Sequence, residues 1–575
     1  MGSDNTGGHF GLTRRNLVKS LGITGVAGLA GCLGGGDGTE TEGTPARPGG
    51  TTTPADPGNA QQGGELIASF GADVAQFDPA SATDTTSVKA FGLTYETLVT
   101  VGFDGQINNA LAHTFEQVDG EENVWRAELR EGVTFHNGKE LTAEDVQVSY
   151  ERYEGTPNAA DVYNWYESSE IIDDYTIEFT LKNAYAPLQF DMSAVGIVPA
   201  EAETGDLDLT ENPVGTGPYQ FVEHQPDELF RIERYDDYWF EGDDSVPATA
   251  PIDTVTYRII IEQSAQQGAL EGGDIHIANA PPATSLSDFA EKEDFTVNRR
   301  LAGGFDLMYF PTEVDPFGSA KVRRGISRLV PRENIVKSVY EGLGVPAYMA
   351  ISQISSVFGT DEWNDLNDRL GEEYMGYDEE QANTLLEEGF NEAGVEAPFE
   401  TTIITNENPQ RVQWVQLIAE SLNSTDYFDV SVDQYEWNTY VGKISGESSA
   451  STNEIIAVGW SGGWDPNAYV NDLVDSERMT PNGFNMGHYE NSEVDELLAE
   501  GQQTYDLDER ADIYTDLVEI LAEDAPMAYI RFGEETDVYN NTVVNGFRTY
   551  PINGGEFKGV YSPYDGAFTY LTQDE

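Results

Sequence analysis

Apolar residues recur along the chain at two periods. Asp378 stands three residues before Gln381 in the spacing of a capping box, and Ala382, Leu385, Leu386 and Phe390 then fall three and four apart, predicting one buried helix face. Thr142 with Asp145 opens a second helix, from Thr142 to Tyr153. Ser492 before Val494, Leu497 and Leu498 predicts a third. Asp508 before Ala511, Tyr514, Leu517, Val518 and Leu521 predicts a fourth, with Pro526 as its stop. Short apolar runs between turn residues read as strands: Gly64 to Phe70, Thr176 to Leu181, Thr254 to Ile261, Thr401 to Thr405 and Glu454 to Val458. Strands and helices mix throughout, so the expected class is α/β. No repeat is visible, and no apolar run after residue 32 approaches membrane-spanning length.

The first 64 residues follow neither period. Thr13-Arg14-Arg15-Asn16-Leu17-Val18-Lys19 is a twin-arginine pattern, and the Gly-rich apolar run from Leu21 to Ala30 is too short to stay in a bilayer, which predicts a signal peptide over 1–31. It meets Leu29-Ala30-Gly31-Cys32, which resembles a lipobox, where the cysteine is lipidated after cleavage before it. Cys32 is the only cysteine of the chain, so no internal disulfide and no cysteine metal site are expected. Residues 32–64 are Gly, Thr, Pro, Asp and Glu with almost no apolar side chain, and predict a flexible tether. Such a segment reaches roughly 30 Å root-mean-square. The expected location is the extracellular face of the cell membrane, held there by lipid on Cys32.

At 575 residues, 39% apolar and 11% aromatic, the chain is too long for one core and calls for two or three lobes. Charge changes the picture more. With 102 acidic residues against 30 basic ones the net charge is −72, which excludes nucleic acid as a partner. Self-repulsion of this size strains a compact fold unless salt screens it, and the Debye length falls to about 3 Å at 1 M. A high-salt habitat is expected, and the composition resembles that of proteins from extremely halophilic archaea. The six histidines, His9, His113, His136, His224, His276 and His488, include no pair at metal-binding helical spacing, so no metal or other cofactor is predicted. Nothing marks an oligomer face, and a monomer is the default.

Several segments, in order, resemble the extracellular solute-binding proteins that serve dipeptide, oligopeptide and nickel ABC importers, known as family 5. They are Phe77-Asp78-Pro79, Tyr95-Glu96-Thr97-Leu98, Asn109-Ala110-Leu111-Ala112, and the stretch from Leu129-Arg130-Glu131-Gly132-Val133-Thr134-Phe135 to Leu141-Thr142-Ala143-Glu144-Asp145-Val146. Pro213-Val214-Gly215-Thr216-Gly217-Pro218-Tyr219, Pro331-Arg332-Glu333-Asn334-Ile335, Gly459-Trp460 and the run from Asn491 to Glu500 continue the likeness, which covers about 65–530. The resemblance implies a two-lobed clamshell: lobe I over 65–299 with a subdomain near 111–200, lobe II over 300–526, and a return to lobe I over 527–575. It implies capture of a small solute, peptide first, between the lobes. Closure on the solute would then be read by the permease subunits and their ATPase.

Binding candidates follow from the same resemblance. In peptide-binding members an aspartate after the Gly-Trp segment holds the peptide ammonium; here that position is Gly463, and Asp465, before Pro466, matches a separate Asp-Pro. An ammonium in a closed cleft needs an anionic partner, so either Asp465 takes that part or the cargo is different, an oligosaccharide or a metal chelate. Trp460 and Trp464 suit stacking on a ring or cation, or alternatively core packing. Phe70, Asp73 and Tyr95 lie near the first-lobe strand and turn that face the cleft in the family, and Asn485 resembles the asparagine before its Tyr-x-Asn segment, here Tyr489-Glu490-Asn491.

A serine hydrolase competes, because Gly459-Trp460-Ser461-Gly462-Gly463 matches G-x-S-x-G after a strand. Its only downstream histidine is His488, and the interval leaves little room for the usual intervening elements. Two sequons, at Asn423 and Asn540, offer glycosylation. The charge makes one prediction independent of cargo: dialysis of the ligand-free protein from multimolar salt to low ionic strength unfolds it, as read by circular dichroism. A fold that survives dialysis excludes the halophilic reading.

Overall fold

The computed structural model describes residues 60–572 except 206, 447, 448 and 553; the signal peptide, Cys32 and most of the tether lie outside the described residues. Two long strands, Phe295–Tyr309 and Met527–Asn540, run antiparallel and carry the chain between two lobes. Residues 295–301 pair with 534–540 on the first-lobe side, and residues 305–309 pair with 527–532 on the second-lobe side. The ladder breaks between them, at Ala302-Gly303-Gly304 opposite Gly533. Of the expected bounds, 299/300 falls within Phe295–Tyr309 and 526/527 immediately before Met527–Asn540, whose first residues, Met527 to Phe532, pair with residues 305–309.

Both strands belong to one 11-stranded sheet. Beside Phe295–Tyr309 lie Glu454–Trp460, Phe399–Asn406 and Phe428–Tyr435; beside Met527–Asn540 lie Ile277–Asn279, Glu65–Phe70, Thr254–Ile259, Leu229–Arg234 and Tyr219–Gln225. Residues 112–181 form a separate four-stranded antiparallel sheet within the first lobe. Helix Ala143–Glu151 packs on it, with Tyr150 edge-on to Phe179 at 5.0 Å. The architecture is an α/β two-lobed clamshell.

Local chemistry accounts for the elements. The Asp145 carboxylate accepts the Thr142 backbone N–H at 2.9 Å, and Asp378 accepts that of Gln381 at 2.9 Å before helix Glu379–Ala393. Two expected helix starts shift: Asn491, not Ser492, caps Ser492–Gln503, and Asp506, not Asp508, caps Leu507–Asp524. In each, the upstream side chain is the one on extended backbone, from which it reaches the first free N–H groups. Helices Ala320–Ser327 and Glu379–Ala393 cross at glycines: a Cβ on Gly325 would lie 2.8 Å from Leu386 Cγ, and one on Gly389 2.6 Å from Val322 Cγ2. Arg332, fully buried, donates to the carbonyls of Ser327, Ala347, Met375 and Tyr529 and so pins four second-lobe segments together. At the Asn423 sequon the side-chain amide both donates to and accepts from the Val430 backbone, at 2.9 and 2.7 Å, so it is not free to carry a glycan.

The C-terminal segment is clasped to the first lobe. Lys89 Nζ pairs with Glu556 at 2.7 Å and donates to Asn279 Oδ1 at 2.7 Å; Asn279 Nδ2 in turn donates to Asp537 on the long strand at 2.8 Å. Asp537 is fully buried, and burial pushes its carboxyl up to about 6. A carboxyl whose pKa is raised by folding binds its proton more tightly in the native state, so the wild type loses stability as pH rises from about 4 to about 6. Asp537→Asn keeps the bond to Asn279 without the charge. It is expected to equal the wild type below pH ~4 and to exceed it by about 1–3 kcal/mol above pH ~6, read by thermal unfolding across pH in constant multimolar salt.

Candidate ligand-binding cleft

Strand Glu454–Trp460 ends at the lobe boundary in the turn Ser461-Gly462-Gly463. Gly462 has φ +60°, and a Cβ there would stand 2.2 Å from the Tyr469 ring, so only glycine permits the turn. The turn aims Trp464 across the gap. Its Nε1 donates to Tyr550 Oη at 2.8 Å, and Tyr550 Oη donates to the Val101 carbonyl at 3.0 Å, so a second-lobe tryptophan is bonded to the C-terminal return and, through Tyr550, linked to a first-lobe strand. The Trp464 ring lies 2.9 Å from where a Gly105 Cβ would be. The Ala186 N–H donates to the Gln502 carbonyl at 2.7 Å and the Tyr185 N–H to Tyr505 Oη at 3.1 Å, joining the subdomain to the second lobe. The lobes are closed on each other.

Between them lies a cavity of about 400 Å³. Its walls are aromatic: Phe91 and Tyr95 from the first lobe, Phe190 from the subdomain, Trp464 from the second lobe, and Tyr550, Tyr561 and Tyr564 from the C-terminal return. Glu96 is buried in the wall and accepts from Tyr564 Oη (2.7 Å), Tyr238 Oη (2.8 Å), Thr216 Oγ1 (2.9 Å) and Trp239 Nε1 (3.0 Å). Burial pushes its carboxyl up, and these four donors oppose that shift. A second cavity, of about 330 Å³, separates the second lobe from the subdomain; Trp460, Trp165 and Arg478 line it.

The structure sorts the residues singled out from sequence. Tyr95, Gly463, Trp464 and Asp465 line the larger cavity and Trp460 the smaller. Trp460 also donates to the Ala468 carbonyl at 2.7 Å and packs edge-on to Phe484 at 5.3 Å. Asp465 does not stand in for an acid at Gly463: its oxygens are taken by Arg510, at 2.7 and 3.0 Å, and by the Asn467 N–H, at 2.9 Å. Three others lie away from both cavities. Phe70 is stacked on Tyr257 at 4.3 Å in the first-lobe core, since its strand is covered on that face by the C-terminal segment. Asp73 holds a turn by accepting from His224 Nε2 and the Asp227 N–H, both at 2.9 Å. Asn485 is fully buried and bonds the backbone of Tyr489 and Asp475, fixing its own loop. Cys32 is outside the described residues.

Ser461 has no catalytic partner in His488, whose Nε2 meets Thr480 Oγ1 at 2.9 Å and Nδ1 meets Glu313 at 3.3 Å. The serine hydrolase reading is not favoured. What sequence reasoning missed is the contribution after residue 530: Tyr550, Lys558, Tyr561 and Tyr564 lie beyond the recognised segments, and only the density of tyrosines there gave a signal.

Two lobes joined by two strand crossings and closed on an aromatic cavity define a solute-binding protein. Residues 106–481 match the family described as bacterial extracellular solute-binding proteins, family 5. The chain belongs to that family, and it is the solute-binding component of an ABC importer. It is similar to the oligopeptide-binding protein AppA of Bacillus subtilis (strain 168), with 27% identity over 500 residues, 83% of this chain and 87% of that protein. The structure of AppA in complex with a nonapeptide superposes with a TM-score of 0.69 at 23% identity, over 90% of this chain and 100% of that one. DppA of Helicobacter pylori in complex with the peptide STSA gives 0.71 at 24% identity, over 90% and 99%. NikZ of Campylobacter jejuni in complex with Ni(L-His) gives 0.68 at 20% identity, over 87% and 99%.

The Asp465–Arg510 pair makes a direct test of which residues support the cleft. Arg510→Met strands a buried carboxylate and is expected to cost about 3–5 kcal/mol of stability. The double variant Asp465→Leu/Arg510→Met recovers most of that loss, and a double-mutant cycle by thermal unfolding in multimolar salt measures the coupling. No coupling between the two positions would mean that the pair does not hold the cleft wall.

Proposed function

We propose that this protein captures peptides outside the cell and presents them, in the closed state, to the permease subunits of its importer, while tethered to the membrane as a monomer by lipid on Cys32. The observation that carries the reading is the Trp464–Tyr550 bond across the gap: with the aromatic walls drawn from both lobes, a solute in the cavity touches both and favours closure by its differential affinity. The peptide class is supported by the likeness to AppA over most of both chains. The chemistry is binding alone; neither a Ser461 nucleophile nor a covalent step enters. The signal and tether pattern supports export, and the net charge of −72 supports work in concentrated salt, where the self-repulsion is screened.

A second reading has one observation in its favour. Gly463 carries no acid and Asp465 is committed to Arg510, which removes the expected anchor for a peptide ammonium and favours an oligosaccharide or a metal chelate against the tyrosine and tryptophan walls. Mass spectrometry of the small molecules released on denaturing the full chain, purified in multimolar salt, separates the two. Peptides in stoichiometric amount are expected. Sugars or a metal chelate in that amount would replace the peptide reading and leave the solute-binding role intact.

A further inference from the structure

Among the described residues the cavity has one basic side chain in its lining, Lys558, and the chain has only nine lysines. Lys558 Nζ lies 3.3 Å from Thr100 Oγ1 and 4.5 Å above the Tyr550 ring, and no carboxylate among the described residues is within ion-pair distance of it. An ammonium has three donors, and one long hydrogen bond leaves two for a guest. Withdrawal from bulk water pulls it down to about 8, against the pull of Asp565.

Two further cations stand behind it. Arg548 Cζ is 4.2 Å and Arg300 Cζ 5.8 Å from the centre of the Phe103 ring, which itself lies 5.3 Å from Tyr550. Neither guanidinium forms an ion pair among the described residues. The nearby Asp565 is occupied by the Phe103 N–H at 2.9 Å and Ser562 Oγ at 2.6 Å. Three of the chain's 30 basic side chains are thus gathered around the Phe103–Tyr550 pair, of which Tyr550 and Lys558 reach the cavity, in a protein whose net charge is −72. Burial and the neighbouring Arg548 both hold the Arg300 guanidinium below its ordinary value, so an anion brought near this pair relieves a repulsion.

The carboxylates of the lining offer the opposite. Asp465 is bonded to Arg510, Glu96 has four donors, and Asp191 accepts from Tyr185 Oη at 2.8 Å. We propose that the cleft selects its cargo by an anionic group, a carboxylate, seated on Lys558 in the field of Arg300 and Arg548, with the rest of the molecule against the aromatic walls. The inference rests on the cavity being the solute site and names the end of the peptide that is recognised: the carboxylate end, in place of the ammonium end for which Gly463 supplies no acid.

The test uses the full chain in multimolar potassium chloride and three probes measured by calorimetry: an N-acetylated tripeptide mixture with free carboxylates, the same tripeptides with free amino ends and C-terminal amides, and a mixture of sugar acids. The acetylated acids are expected to bind and the amides to bind at least about tenfold more weakly. Lys558→Met is expected to erase that difference, Lys558→Arg to keep it, and affinity for the acids to fall as pH rises through about 8. The wild-type comparison of acid with amide stands even if Lys558→Met does not fold. Amides that bind as tightly as the acids, or acid binding unchanged in a folded Lys558→Met, overturn the proposal and leave the peptide reading in place. Sugar acids that bind alone, and through Lys558, keep the proposal and overturn the peptide reading. Failure of all three probes on the wild type overturns both.

Discussion

The antiparallel pairing of Phe295–Tyr309 with Met527–Asn540 is the constraint from which the molecule's organisation follows. Each strand is shared by two lobes, so the sheet is continuous while the hydrogen-bond ladder is broken where the lobes meet, at Gly303, Gly304 and Gly533. An unbroken ladder resists bending because its bonds fail together; three glycines beside an interruption concentrate the bend there. The two crossings lie side by side, and Glu454–Trp460, the neighbour of Phe295–Tyr309 in the sheet, delivers its turn to the gap between the lobes.

That turn shows how the cleft uses rigid groups. Trp464 reaches Tyr550 because Gly462 and Tyr469 fix the backbone below it, and Asp465 is immobilised by Arg510 on the second-lobe helix Leu507–Asp524. The acids nearest the cavity are already satisfied, so their negative charge is internal to the wall, and burying a pair with complete hydrogen bonding avoids the large penalty of a lone charge. The rest of the lining is largely aromatic, with Lys558 its one basic side chain among the described residues.

The distribution of the basic residues follows from the same economy of charge. In a chain with 102 acidic residues, several arginines are buried on fixed partners: Arg332 and Arg323 hold carbonyls from several segments, and Arg510 holds Asp465. A guanidinium presents several donors in a fixed plane and bridges segments that a hydrophobic side chain only separates. The acidic surplus is left largely to the surface.

The mixed α/β class, four helix faces and five strands were legible in the sequence, because a half-buried helix or strand writes its period into the order of apolar residues. The family was legible too, through segments such as Pro331-Arg332-Glu333-Asn334-Ile335, whose arginine is buried at a junction of four segments. The long strands were not: Phe295–Tyr309 and Met527–Asn540 are paired on both sides and change lobes midway, so they show neither strict alternation nor a single apolar run. The same limit governed the cleft. Local sequence carries the spacing of Trp460, Trp464 and Asp465 but holds no information on which partner arrives from 45 or 86 residues away. Whether Asp465 faces a guest or Arg510, whether Phe70 faces the gap or the core, and that Tyr550 and Lys558 enter the site at all were decided only by the tertiary structure, because these are contacts between segments distant in sequence, fixed by how the chain returns to its first lobe.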